Sequence, residues 1–298
     1  MNTAIILDKN TTRVKDYITY TKAILSFAVG LPGVMVYLLA TDEITANLGI
    51  SFFAIFLLAL GVSALNQFQE RFLDALMPRT QHRPLVTGRI GEKEGLAIIV
   101  GLIGLSMIVI YNVLAYQGVF IFALVVFLYN GVYTPMKKVS AYAVFPGAIL
   151  GVIPPVLCWM AAGASLMQPS FFALAWFYFI WQIPHFWLLV LMYQNDYNKA
   201  KFPNMANVLG GESLSRVTYV WILFTIISGL MVVSFFMPES QIILGIILAH
   251  SLFLLYKGLV LLKKDTWKDK SVCRKTFMQL NMYTLLVIGY LVIDKWLM

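Results

Sequence analysis

An all-α bundle crossing a membrane nine times is the fold that the sequence predicts. Three observations lead there. Hydrophobic residues make up 60% of the chain against 12% charged, apolar runs long enough to span a bilayer recur along its whole length, and the basic residues gather on alternate connections. A soluble domain carries roughly 25% charge, so half the usual surface charge is missing and lipid is the solvent for most of the chain. Because apolar runs continue to the carboxyl end, a cleaved leader does not explain the hydropathy.

Each hydrocarbon crossing takes about 20 apolar residues in a helix. Runs of that kind fall near Thr21–Thr41, Leu48–Leu65, Gly95–Leu114, Gly118–Tyr133, Ala143–Gly163, Pro169–Tyr193, Val217–Met237, Gln241–Leu262 and Thr276–Trp296. Glycine and proline inside several of them (Gly30 to Gly33, Gly147 to Gly151, Pro154 and Pro155) read as packing and kink features, covered by neighbouring helices. Under this division 21 of the 22 lysines and arginines lie on one side of the membrane. They include Lys9 to Lys22, Arg71 to Lys93, Lys137 and Lys138, Lys199 to Arg216, and Lys257 to Lys275. Lys295 alone lies opposite. The positive-inside rule then places the amino end in the cytoplasm of a bacterial cell (inner membrane) and the carboxyl end outside. The formal charge of +8 is accounted for by topology and by attraction to anionic lipid or diphosphate, which argues against nucleic acid as a partner. Two cysteines, Cys158 and Cys273, exclude a disulfide framework.

The chain reads as one membrane-embedded domain, residues 1–298, with cytoplasmic loops at about 66–94, 134–142, 194–216 and 263–275. Chemistry tends to sit on long loops held by a rigid scaffold. In the first loop, continuing the helix of the second span puts Asn66, Glu70, Asp74 and Met77 on one face, and Pro78 ends or kinks it. Two carboxylates one turn apart repel unless a cation joins them to a ligand. Hard oxygen donors with positions left for water and phosphate suit Mg²⁺. Arg79 and Arg83 follow, with guanidinium forks matched to phosphate. A diphosphate site is one reading; a solvated, charged loop capping a helix is the other.

The string Asn66-x3-Glu70-x3-Asp74-x2-Met77-x-Arg79-Thr80-x2-Arg83-Pro84-Leu85 resembles the first signature of the UbiA prenyltransferase superfamily, and within it that of the heme O synthase branch. Tyr133-Thr134-Pro135-x-Lys137-Lys138 resembles a further run of that branch. Pro184-His185-Phe186, followed by Asp196-Tyr197 and Pro203, resembles its second signature. The chain departs from the pattern at Glu70 and Phe72, where the family generally has aspartates, and at Lys201 and Asn204 to Ala206.

The resemblance implies a UbiA-type bundle and prenyl transfer. Glu70, Asp74 and Asp196 would hold Mg²⁺ against an allylic diphosphate, Asn66 would position it, and Arg79, Arg83, Lys137 and Lys138 would neutralise it. His185, Tyr133 and Tyr197 would face the acceptor. The substrates implied are farnesyl diphosphate and heme b, with the lipid bilayer and terminal oxidase assembly proteins as further partners. His185 and Asp196 are eleven residues apart, so on an unbroken helix they share a stripe, roughly 16 Å apart along its axis. His185 bonded to a neighbouring helix is the competing reading, and His250 reads as structural. Outside this resemblance stand a prenyltransferase for a quinone precursor or another aromatic acceptor, an anion transporter, and a non-catalytic assembly factor. Few ionisable residues within the spans weigh against an ion-coupled carrier.

Overall fold

The computed structural model describes residues 9–199 and 202–297; Ala200 and Lys201, part of the second-signature reading, lie outside the described residues. The elements are α1 (Lys9–Tyr20), α2 (Ala23–Ala40), α3 (Ala46–Asp74), α4 (Glu92–Met136), α5 (Ala141–Ala161), α6 (Pro169–Lys199), a short α7 (Met205–Leu209), α8 (Gly211–Phe236), α9 (Gln241–Leu262) and α10 (Lys270–Leu297). All ordered elements among the described residues are helical, as the all-α prediction requires.

Eight of these helices are long and apolar enough to cross a membrane, where the hydropathy division had nine separate runs. The difference lies in α4, which contains the expected third and fourth spans. Its 45 residues would measure roughly 67 Å if straight, more than twice the hydrocarbon thickness. It is not straight. Ala115 sits at φ 46°, ψ −138°, and Gly118 packs against Ile110, eight residues back. Both ends of α4 return to the same end of α3, because Glu92 pairs with Arg71 (3.0 Å) and Lys137 with Glu70 (2.8 Å). The helix is therefore a hairpin of two arms folded sharply at Ala115. Ala115 falls in the gap between the expected third and fourth spans, so the turn lies where the hydropathy division put it and only its tightness is new. A side chain in that backbone region is strained by about 1–3 kcal/mol. Ala115→Gly is accordingly expected to raise the thermal unfolding temperature in detergent; an unchanged or lower midpoint would argue that the turn is not strained.

Two apolar cores fill the bundle. One joins α2, α6, α8, α9 and α10 around Phe177, Tyr178, Leu188 and Tyr283. The other joins α2 to α5 around Tyr37, Ile110, Phe122 and Leu157. The two meet where α2 crosses α5, and Gly33 lets that crossing close: a β-carbon there would touch the Pro154 carbonyl and Cys158 Sγ. Pro154 and Pro155 are both buried in α5, consistent with packing rather than chemistry. Large apolar side chains such as Ile24, Ile108, Phe120 and Ile242 face outward, a surface that lipid covers. His250 packs beside Tyr283, ring centroids 5.5 Å apart.

The two ends of the bundle differ in charge. At one end Lys295 meets Asp42 at 2.9 Å. At the other, the start of α2, the ends of α3, α4 and α6, and the start of α10 converge with nearly all the cations.

Candidate functional site

The end of α3 supplies the acids. Asn66, Glu70, Asp74 and Met77 are all buried, so the face expected from helical spacing is the inward one. Phe72, two residues from Glu70 and on the opposite side, is 73% exposed and lies under the Arg71 guanidinium (4.4 Å). An acid at position 72 would point away from Glu70 and Asp74, so the departure there removes nothing from this inner cluster.

Cations from three elements close over the acids. Arg83 Nη1 donates to Asp74 Oδ2 at 2.5 Å, Lys137 Nζ lies 2.8 Å from Glu70, and Lys22 Nζ donates to Asn66 Oδ1 at 3.3 Å. Asn66 passes the contact on, its Nδ2 donating to Thr134 Oγ1 (3.2 Å). Three cations against two carboxylates leave a net positive cluster, suited to an anion.

Each cation is aimed by local backbone geometry. Lys22 stands between α1 and α2 in the left-handed region (φ 50°, ψ 45°). Gln67 holds that turn against α3 by donating to the carbonyls of Thr19 and Tyr20, each at 2.9 Å. Burial lowers the Lys22 pKa from 10.5 to about 7, helped by Arg83 and Lys137 nearby and opposed by Glu70 and Asp74. Lys137 is aimed by a π-helical turn over Phe127–Tyr133, a distortion frequent at functional sites. There the Thr134 hydroxyl donates to the Tyr129 carbonyl (2.8 Å) and Asn130 bonds across to Gln69 (3.1 Å). The turn stacks Tyr133 on Tyr129 (5.6 Å) and sets Lys137 over the Tyr133 ring (5.5 Å).

Arg83 reaches Asp74 through the loop after α3. Thr80 Oγ1 donates to the Asp74 carbonyl (2.9 Å), and Arg89 pins the loop to Asp16 (2.9 Å). Arg79 leaves this cluster for the other half of the bundle, where its Nε lies 3.9 Å from Asp196 Oδ2 and its guanidinium sits over Tyr193 (5.1 Å). Tyr197 packs with Met77 and Phe202, closing the cleft between the halves. Lys138 is half-buried and pairs with no acid among the described residues.

Of the three carboxylates expected at a metal, the structure brings two together. Glu70 and Asp74 share a face, with the Asn66 carboxamide one turn away. Glu70 Oε1 is buried without a hydrogen bond, although Lys137 Nζ lies within 2.8 Å of it. Asp196 stands apart with Arg79, and among the described residues no three acids, histidines or cysteines cluster tightly enough to share an ion. Two hard carboxylates stacked one turn apart on a buried face fit Mg²⁺ whose remaining positions belong to water and phosphate.

His185 lies deeper in α6. Asn281 Nδ2 donates to the Phe277 carbonyl at 2.6 Å, which turns its Oδ1 towards His185 Nδ1 (2.9 Å). The imidazole therefore donates from Nδ1 and keeps the lone pair on Nε2. Phe277 and Trp181 flank the ring, with centroids 4.7 and 5.2 Å away.

Lys22 is the residue that sequence reading passed over, having counted it only as a topogenic charge. A signal was present: a lysine at the boundary of an apolar run, followed by nineteen residues without a charge.

The profile of the UbiA prenyltransferase family matches residues 29–283. The protoheme IX farnesyltransferase of Nitratidesulfovibrio vulgaris (strain DP4) is 38% identical over 208 residues, 68% of this chain and 71% of that protein. The protoheme IX farnesyltransferase of Christiangramia forsetii is 31% identical over 295 residues, covering 95% and 94%. Among solved structures, a UbiA homolog from Archaeoglobus fulgidus bound to GPP and Mg²⁺ superposes with TM-score 0.72 at 16% identity, over 95% of this chain and 100% of that one. A digeranylgeranylglyceryl phosphate synthase superposes with TM-score 0.76 at 14% identity, over 96% and 100%. With its helical bundle and the acids and cations at one end of it, the chain belongs to the UbiA prenyltransferase family.

Proposed function

We propose that this multi-pass membrane protein transfers a farnesyl group from farnesyl diphosphate to a vinyl group of heme b, forming heme O. The observation that carries the reading is the buried cluster of Glu70 and Asp74 under Lys22, Arg83 and Lys137, in a chain whose relatives include protoheme IX farnesyltransferases. The bundle is one domain whose α4 hairpin supplies two of nine passes. The clustered site faces the cytoplasm with the amino end, and the carboxyl end lies outside, following the segregation of the basic residues. Heme b, farnesyl diphosphate and the bilayer are its partners in turnover, and terminal oxidase assembly proteins would receive the product.

In this reading Glu70, Asp74 and, from the second half of the bundle, Asp196 would hold Mg²⁺. Mg²⁺ bound there would supply charge neutralisation to the leaving diphosphate. Asn66 positions the diphosphate. Lys22, Arg79, Arg83, Lys137 and Lys138 offer cations where negative charge develops. The C1–O bond breaks with its electron pair going to diphosphate, leaving an allylic cation; Tyr133 and Tyr197 flank it and the acceptor. The vinyl group of heme adds to that cation and water quenches the resulting carbocation, giving the hydroxyethylfarnesyl side chain. Apolar walls below the site keep water from capturing the first cation early. His185, with Nε2 free, would face the heme, ligating its iron or hydrogen-bonding to the porphyrin.

The test is a membrane assay with heme b, farnesyl diphosphate and Mg²⁺, with the heme product read by mass spectrometry and EDTA as control. A metal-dependent, farnesylated and hydrated heme is expected. No product from folded protein, with prenylation of an aromatic acid instead, would move the assignment to another acceptor.

A further inference from the structure

A cavity of about 550 Å³ opens beside Asp196, between the end of α6 and the segment leading into α10. Its volume falls in the range of small-molecule sites. Lys268 and Lys270 line it with Tyr193, Asn195 and Trp267, and Asp196 is its only acid among the described residues. None of these cations belongs to the cluster around Glu70 and Asp74.

The walls are built rather than incidental. α6 departs from helical geometry at Tyr193 (φ −123°, ψ 21°), and its ring takes Arg79 (5.1 Å) and Lys270 (4.6 Å) as cationic neighbours. Tyr193 thus joins the cavity to the diphosphate side of the cleft. Trp267 lies against Gly211, where any β-carbon would collide with the indole, and Cys273 Sγ caps its carbonyl (3.6 Å). Lys270 has no acid partner among the described residues. Lys268 pairs with Asp265 at 2.6 Å, but both are more than half exposed, and such a pair is readily exchanged for a better one. Two aromatic faces, two available ammonium groups and one acid suit a flat, apolar molecule carrying two carboxylates on one edge. A metal-bound diphosphate would need more acids than this wall offers.

We propose that this cavity seats the carboxylate edge of the acceptor, with Lys268 and Lys270 meeting the two propionates and Tyr193 and Trp267 flanking the ring. This rests on heme being the acceptor. The vinyl-bearing edge, across the ring from the propionates, is then turned away from this wall, and His185 stands about two turns from Tyr193 on α6, roughly 12 Å along its axis.

The test compares heme b with its dimethyl ester, in which both carboxylates are masked, as acceptors for wild type and for the double variant Lys268→Gln/Lys270→Gln. Wild type is expected to prefer the free acid, and the double variant to raise KM for heme about tenfold and lose that preference, while KM for farnesyl diphosphate stays unchanged. A preference retained in the double variant overturns the proposal. So does a rise confined to KM for farnesyl diphosphate, which would give the lysines to the leaving group. If wild type fails to farnesylate heme at all, the functional reading falls first and this proposal with it.

Discussion

Replacing Asp74 with asparagine is expected to lower turnover by about 10³-fold, the scale seen when a group aimed at developing charge is removed, with the helical content unchanged. Asp74 is 1% exposed and its carboxylate takes Arg83 Nη1. Asparagine keeps an oxygen to accept that bond, so the loop from Thr80 to Arg89 stays docked. It cannot supply the negative charge that would hold Mg²⁺. Alanine at the same position is a different experiment. It strands the largely buried Arg83 guanidinium, and breaking such a pair from one side costs about 3–5 kcal/mol. Asp74→Ala is therefore expected to lose both activity and stability, Asp74→Asn activity alone. Circular dichroism and thermal melts in detergent separate the two, and near-wild-type product formation by Asp74→Asn would remove Asp74 from the metal site.

The contrast between what could and could not be read in advance is instructive around this same helix. Asn66, Glu70, Asp74 and Met77 were legible because helical periodicity alone puts them on one face, and burial of that face followed from its position at the end of an apolar run. Phe72, where the chain departs from the family pattern, falls by the same periodicity on the outer side, where it lies against Arg71. Other features depend on contacts between distant segments. That Lys22 enters the cluster depends on Gln67, 45 residues later, fixing the turn between α1 and α2. The aim of Lys137 depends on a π-helical turn whose spare carbonyl is taken by Thr134. Hydropathy located the apolar runs and the gap between the third and fourth at residues 115–117, but not how tightly the chain turns there at Ala115. The separation of Asp196 from Glu70 and Asp74, across a cleft with Arg79 between, is a tertiary fact that no local motif encodes.

Lys22→Met is expected to lower kcat/KM for farnesyl diphosphate by about 100-fold while making the substrate-free protein more stable. Lys22 is largely cut off from water and has Arg83 and Lys137 beside it, which lower its pKa to about 7. An unfolded lysine titrates near 10.5, so between about pH 7 and 10.5 the unfolded chain carries one more proton at this position. Stability therefore rises with pH across that window, and the penalty for folding a charged Lys22 is full below pH 7. Methionine escapes that penalty. Its advantage is greatest below pH 7 and fades towards pH 10. Diphosphate acts in the opposite sense, because its charge favours the ammonium. Above pH 7 binding must draw a proton onto Lys22, so kcat/KM for farnesyl diphosphate is expected to fall as pH rises past that point. Lys22→Arg, charged throughout, should remove this break while retaining measurable turnover. A methionine variant with wild-type kcat/KM, or an arginine variant with the same pH break as wild type, would return Lys22 to a purely structural part in the turn between α1 and α2.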